Sequence, residues 1–137
     1  MNQLEKYGAL LARILLAGIF ILAGVSKIGG FAGTQAYMAA RGMPATAFLG
    51  FCAILIETGG GLAVLLGYKA RLAALLLFLF LIPTTLIFHT AFGGSFPPEQ
   101  AQMQQAMVLK NLAIMGGLLT VAIHGAGGLS LDARRKK

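Results

Sequence analysis

The side chains that could do chemistry in this sequence are a few polar residues inside long apolar runs. They are Arg13, Glu57, His89 and His124. An ionised group at the centre of a bilayer costs at least about 2.5–3.5 kcal/mol on insertion scales, so it normally faces the bundle interior and finds a partner there. Glu57 is the only acidic residue within the runs. The sequence therefore offers no two-carboxylate metal site, and we expect no metal.

Arg13 is the predicted partner of Glu57. Arg13 is fourteen residues from Lys27, roughly 21 Å along a helix, and Glu57 is twelve residues from Ala45, roughly 18 Å. If Lys27 and Ala45 lie level, the two charges have opposite sign and similar depth. We predict a structural ion pair between Arg13 and Glu57 that holds two helices in register. The alternative is that Glu57 is a site for a proton or a ligand.

Glu57 also lies on a stripe of small residues. At seven and four positions before it, and at three and four positions after it, stand Gly50, Ala53, Gly60 and Gly61. These spacings place all five residues on one face of a helix. Membrane helices approach most closely at small residues, so we expect Glu57 to point between helices and away from lipid.

A second cluster of polar residues lies on the side of the membrane opposite the chain termini. This is the predicted outer side. Lys27 ends the first run, His89 is near the end of the third, and Lys110 opens the fourth. If their helix faces point inward, these three side chains line a pocket that attracts an anion or a carbonyl oxygen. The alternative is that the lysines extend to the membrane interface. The ligand-binding candidates are therefore Lys27, His89, Lys110 and Glu57.

Several chemistries are excluded. Cys52 is the only cysteine, so the chain has no C-x-x-C pair for disulfide exchange. His89 lies near the outer face of the membrane and His124 near the inner face, because their runs are antiparallel. This argues against a haem bound by both. No Walker loop, dinucleotide-binding fingerprint or H-E-x-x-H motif is present. We therefore expect no cofactor fixed within the chain.

Four long apolar runs position these residues. The chain has 137 residues, of which 58% are hydrophobic and 11% charged, whereas a soluble domain usually carries about 25% charged residues. A membrane-spanning helix needs roughly 20 mostly apolar residues. The predicted fold is all-α, a four-transmembrane-helix bundle that forms a single domain over residues 1–137. The predicted spans are approximately 7–27, 45–67, 71–92 and 108–124.

The first run is predicted to be a retained span. It is too long for the apolar part of a cleaved signal peptide and it contains Arg13. After it, residues 29–43 space Phe31, Tyr37 and Met38 as in a short amphipathic helix at the membrane interface. The other outer connector, residues 93–105, contains two adjacent prolines, and the sequence does not define its structure.

The basic residues predict the orientation. With four spans, three groups of them fall on one side: Lys6, the pair Lys69 and Arg71, and the tail Arg134-Arg135-Lys136-Lys137. The positive-inside bias then places both termini in the cytoplasm. The net charge of +7 is explained by this topology and by attraction to anionic membrane lipids. Because the basic residues are scattered over loops, we expect no nucleic-acid partner.

Five motifs occur in order along the chain. They are Arg13 with Phe20-x-x-Ala23-Gly24-x-x-Lys27-Ile28; Tyr37-Met38 with Gly42-x-Pro44; Glu57-x-Gly59-Gly60-Gly61 with Gly67 and Arg71; Phe88-His89-x-x-Phe92; and Lys110-Asn111-Leu112 with Gly116-Gly117. Together they resemble the DoxX family over nearly the whole chain, and especially its small bacterial inner-membrane branch. The resemblance implies a four-helix protein linked to redox functions. It also implies that Arg13, Glu57, His89 and Lys110 occupy positions shared within that family.

Three functions are open at this stage. The first is a redox-associated membrane protein whose pocket near Lys27, His89 and Lys110 holds a quinone head group or a small anion. The second is a non-catalytic accessory or scaffold subunit of a membrane oxidoreductase. The third is a small-solute transporter with Glu57 as its coupling site, which with four spans would act as a homo-oligomer. Whether the chain is an enzyme also stays open.

Overall fold

A computed structural model describes residues 1–90 and 95–135, and the regular structure in these two ranges is entirely helical. Four helices are long and apolar enough to cross a membrane. The prediction of an all-α bundle with four spans is therefore confirmed. The helices are α1 (Gln3–Gly29), α2 (Phe31–Ala40), α3 (Thr46–Leu66), α4 (Ala70–His89), α5 (Pro98–His124) and α6 (Leu131–Arg134).

The long helices overlap the predicted spans, but α5 begins ten residues earlier than the predicted start at residue 108. Pro98 occupies the first turn of α5, where a missing N–H costs nothing, and Glu99 complements the positive end of the helix dipole. Because the first turns of α5 are rich in glutamine, the apolar run that predicts the fourth span begins later than the helix itself. Residues 91–92 of the third predicted span, residues 93–94 of the second connector, and Lys136-Lys137 lie outside the described residues.

α1 packs closely against α3 because glycine replaces larger side chains at the contact. A Cβ atom on Gly24 would lie 2.1 Å from Thr58 Oγ1 and 3.0 Å from the Thr58 backbone nitrogen. A Cβ on Gly61 would lie 3.2 Å from Phe20 Cβ. The small-residue stripe on α3 is therefore buried between helices, as predicted.

The two ends of the bundle differ. At one end the N-terminal residue Met1 lies beside Gly128, and Asp132 bonds to the backbone of Lys69. We call this the terminal end. The opposite end, which carries α2, is the loop end. The described parts of both termini therefore lie on the same side, as expected for four spans.

The short helix predicted between the first two spans is confirmed as α2. Its Met38 is buried, and the Tyr37 ring stacks on Phe88 of α4 with the ring centroids 5.1 Å apart. Its polar side chains Thr34 and Gln35 form only a narrow polar face. α2 therefore packs on the loop end of the bundle and covers the site described next.

Candidate functional site

Lys27 of α1 and Glu57 of α3 form a salt bridge toward the loop end. Lys27 Nζ lies 2.8 Å from Oε2 and 3.1 Å from Oε1 of Glu57. The Glu57 side chain is 8% exposed and that of Lys27 is 27% exposed. One ammonium group therefore contacts both oxygens of a carboxylate that is almost entirely buried.

The local backbone brings the two charges together. Glu57 lies in a π-helical turn, Leu55–Gly59, within α3. Such turns are rare and occur frequently at functional sites. Lys27 follows Gly24 by three positions and so lies on the same helix face, where Gly24 lets α1 approach Thr58. The close approach at Gly24 therefore brings the lysine within reach of the carboxylate one residue before Thr58.

The predicted ion pair between Arg13 and Glu57 is wrong. Arg13 is 1% exposed, and its guanidinium donates to the carbonyl of Leu65, at 2.9 Å, and to that of Leu129. The depth estimate treated Lys27 and Ala45 as level, but α3 extends well beyond α1 at the loop end. Because Thr58 faces Gly24, the residue beside Glu57 is Lys27, whereas Arg13 lies about 21 Å further along α1, near the terminal end.

A cavity of about 400 Å³ adjoins the salt bridge at the loop end. This volume lies within the range of roughly 300–1,000 Å³ that is typical of small-molecule sites. Most of the wall is apolar, and it is formed by residues of α2, α3 and α4 such as Met38, Leu49, Ile56, Phe80 and Ile87. We call this space, with Lys27 and Glu57 on its wall, the loop-end cavity.

His89 lines the loop-end cavity but Lys110 does not. His89 Nδ1 lies 2.8 Å from Gln104 Oε1, an arrangement in which Nδ1 carries the hydrogen and Nε2 is left for another partner. Lys110 is exposed, and its Nζ lies 3.4 Å from Met107 Sδ on the same helix. The structure thus brings together three of the four predicted ligand-binding residues and places the fourth elsewhere.

Sequence reasoning missed Arg41, which links the end of α2 to the C-terminal end of α4 beside the loop-end cavity. Its guanidinium donates to the carbonyls of Ile87 and Thr90, each at 2.9 Å, and lies 4.5 Å from the centroid of the Phe96 ring. A cation at the C-terminal end of a helix is favourable because the carbonyls there are unpaired. The sequence indicates only that Arg41 lies in the connector of residues 29–43. Its position just before the Gly42-x-Pro44 turn was the available signal.

The arrangement suits one kind of ligand. Lys27 offers N–H donors and His89 Nε2 offers a lone pair, Cys52 lies on the wall, and the remaining surface is mainly hydrocarbon. Because Glu57 offsets the charge of Lys27, the polar corner favours a neutral carbonyl or hydroxyl group over a free anion. Within residues 1–90 and 95–135, no group of three His, Cys, Asp or Glu side chains is arranged to hold a metal ion.

Comparisons with known proteins match this chain to membrane proteins. The family model described as DoxX matches residues 8–90. Inner membrane protein YqjF of Escherichia coli (strain K12) is 44% identical over 132 residues, which are 96% of this chain and 95% of the relative. Inner membrane protein YphA of the same organism is 34% identical over 128 residues, 91% of this chain and 88% of the relative.

A more distant relative carries a functional name. CatD of Bacillus subtilis (strain 168), whose name describes it as a candidate oxidoreductase, is 34% identical over 82 residues, 60% of each chain. No solved structure matches the chain.

Proposed function

Since the chain belongs to the DoxX family of membrane proteins, we propose that it binds a small, mainly apolar molecule with a carbonyl head group, of the quinone type, in the loop-end cavity. The observation that carries this proposal is the wall itself, an apolar surface with Lys27, Glu57 and His89 on it. Ligand sites in membrane bundles are typically apolar with a few convergent polar groups. A quinone has the same division between a polar head and an apolar body.

The proposed role is redox-associated. A quinone takes up protons when it is reduced, and Lys27, Glu57 and His89 are groups that exchange protons. The electrons would come from a partner oxidoreductase subunit. The name of CatD supports a redox setting for that relative, and we extend it to this chain as part of the proposal.

The proposed location is the bacterial inner membrane, with the terminal end in the cytoplasm. The relatives in Escherichia coli are inner membrane proteins. Lys6, Lys69 and Arg71 belong to the terminal end, which the positive-inside bias places in the cytoplasm. Large exposed side chains such as Leu22 and Phe51 face the lipid in this arrangement.

Cys52 provides the test, because the only cysteine of the chain lies on the wall of the loop-end cavity. The rate of its alkylation by a maleimide is measured on the purified full chain with increasing ubiquinone-1, whose ring is fully substituted and does not add thiols readily. We expect saturable slowing. Lys27→Gln should weaken this protection by about tenfold, because the charge-assisted N–H donor for a quinone carbonyl is lost.

Lys110→Gln is the matched control, since Lys110 is exposed and does not line the cavity. It should leave the protection of Cys52 unchanged. An absence of protection at any ubiquinone-1 concentration, together with no quinone in the purified protein, would contradict the proposal.

The two other functions have distinct outcomes in parallel assays. A pull-down that returns one stoichiometric oxidoreductase, with Cys52 never protected, would favour an accessory subunit. Solute flux into liposomes that is abolished by Glu57→Gln while the fold stays intact would favour a transporter. Neither outcome is expected from a quinone site alone.

A further inference from the structure

A second cavity, of about 610 Å³, lies at the terminal end. It is formed where the start of α4 meets the segment that follows α5. Three side chains that carry positive charge line it, Lys69, Arg71 and Arg135, and the carboxylate on its wall is Asp132. This basic cavity is at the opposite end of the bundle from the quinone site proposed above, and its role does not depend on that proposal.

Asp132 is already engaged with the backbone. Its Oδ1 accepts from the backbone N–H of Lys69 at 2.7 Å, and its Oδ2 accepts from that of Ala70 at 2.9 Å. The carboxylate therefore caps the N-terminal end of α4 and offsets the positive end of that helix dipole. Its single negative charge offsets at most one of the three side-chain cations, so the wall keeps a net positive charge.

The cations are held close to the cavity. A Cβ atom on Gly125 would lie 3.3 Å from Arg71 Nε, so the guanidinium lies against the backbone of that glycine. Lys69 Nζ and Arg135 Cζ lie 6.0 and 5.2 Å from the centroid of the same Tyr68 ring. None of the three cations forms a salt bridge within residues 1–90 and 95–135.

The depth of the cavity fits a phosphate group. α4 begins at Ala70 and α5 ends at His124, so the cavity lies at the level where spans end and lipid head groups begin. Arginine binds phosphate through paired hydrogen bonds, and basic pockets between membrane helices hold anionic head groups. We propose that the terminal-end cavity binds a phosphate group, as carried by an anionic lipid or by free phosphate.

The test measures the thermal unfolding midpoint of the full chain in a non-ionic detergent. Phosphatidylglycerol is titrated in, with phosphatidylcholine as the lipid that lacks net charge and inorganic phosphate as the free anion. We expect a saturable rise of the midpoint with phosphatidylglycerol and none with phosphatidylcholine. Arg71→Gln should weaken the apparent affinity at least about tenfold, because a charge-assisted contact is lost.

Arg134→Gln is the matched control. Arg134 carries the same charge at the same end but does not line the cavity, so its loss should leave the affinity almost unchanged. If Arg71→Gln does not fold, the double variant Lys69→Gln/Arg135→Gln makes the same test. A saturable rise with inorganic phosphate that competes with the lipid would identify the free anion as the ligand. No saturable effect from either probe, or equal losses in the Arg71 and Arg134 variants, would overturn the proposal.

Discussion

Arg13 and Lys27 belong to the same helix and lie fourteen residues apart, but their surroundings at the two ends of the bundle differ. Arg13 is enclosed by backbone, with its guanidinium bonded to carbonyls of α3 and of the segment before α6. A Cβ atom on Gly67 would come within 2.5 Å of Arg13 Nη1, so there is no room for another group. Lys27 instead pairs with Glu57 on the wall of a cavity.

The difference separates a structural charge from a functional candidate. Arg13 donates to fixed carbonyls through its Nη atoms and so holds elements together. Its Nε has no hydrogen-bond partner among the described residues, but at 1% exposure it is out of reach of a ligand. A partly exposed cation beside a cavity keeps a polar surface that a ligand can contact. Hydropathy, which assigns both residues to the same predicted span, does not distinguish the two cases. The exposure of each side chain and the space beside it do.

The largest effect is expected at Arg13. Arg13→Met leaves buried carbonyls of Leu65 and Leu129 without a donor, so we expect a loss on the order of 3 kcal/mol in the free energy of unfolding. Arg13→Lys keeps the charge but reaches fewer carbonyls, and should lose less. Denaturant unfolding in detergent micelles measures both. A stable Arg13→Met variant in which quinone no longer protects Cys52 would contradict this, because Arg13 would then be the functional cation and not the structural one.

The next effect is expected at the salt bridge. Glu57→Gln leaves Lys27 without its counter-charge, but Lys27 is 27% exposed and partly hydrated, so we expect a smaller loss of about 1–2 kcal/mol. Removing both charges in Lys27→Met/Glu57→Gln should restore part of that loss. The double-mutant cycle measures the coupling, and additive single effects would contradict a direct pair.

The fold was predictable from the sequence because the length of an apolar run and the thickness of a bilayer decide a span with little help from tertiary packing. The small-residue stripe around Glu57 was predictable for a similar reason, since it depends only on helical periodicity. The partner of Glu57 was not. It depends on how far α3 extends beyond α1, and that offset is set by the contact between Gly24 and Thr58 and by the packing of α2.

The rotation of α5 about its own axis could not be predicted from the sequence either. Lys110 and Asn111 are adjacent in the sequence, but Lys110 is exposed while Asn111 is buried against α4. Neighbouring positions on a helix point about 100° apart, so a small rotation decides which of them enters the bundle. The sequence favoured the lysine as a site residue because it carries charge. The amide beside it, in the same apolar surroundings, was the missed signal.

A third effect tests what brings Lys27 to Glu57. Gly24→Ala places a methyl group against Thr58 and should push α1 and α3 apart, with a loss of about 1 kcal/mol or slightly more. The same change at Gly18, where nothing lies within 4 Å of a new Cβ, should leave stability nearly unchanged. Unfolding of both variants in micelles measures the contrast. Equal effects would mean that the close approach at Gly24 does not determine the pairing.

The smallest effect is expected at a neutral contact, which gives the baseline for both charged residues. Asn111 Nδ2 donates to Thr85 Oγ1 at 2.9 Å, and both residues are buried where α5 meets α4. Hydrogen bonds between membrane helices contribute about 0.6 kcal/mol on average, because the separated helices also find partners. A cycle of Asn111→Ala and Thr85→Val should therefore give a coupling near that value. If it exceeds the coupling between Lys27 and Glu57, the salt bridge adds less to stability than a neutral contact, and its position on a cavity wall then points to binding.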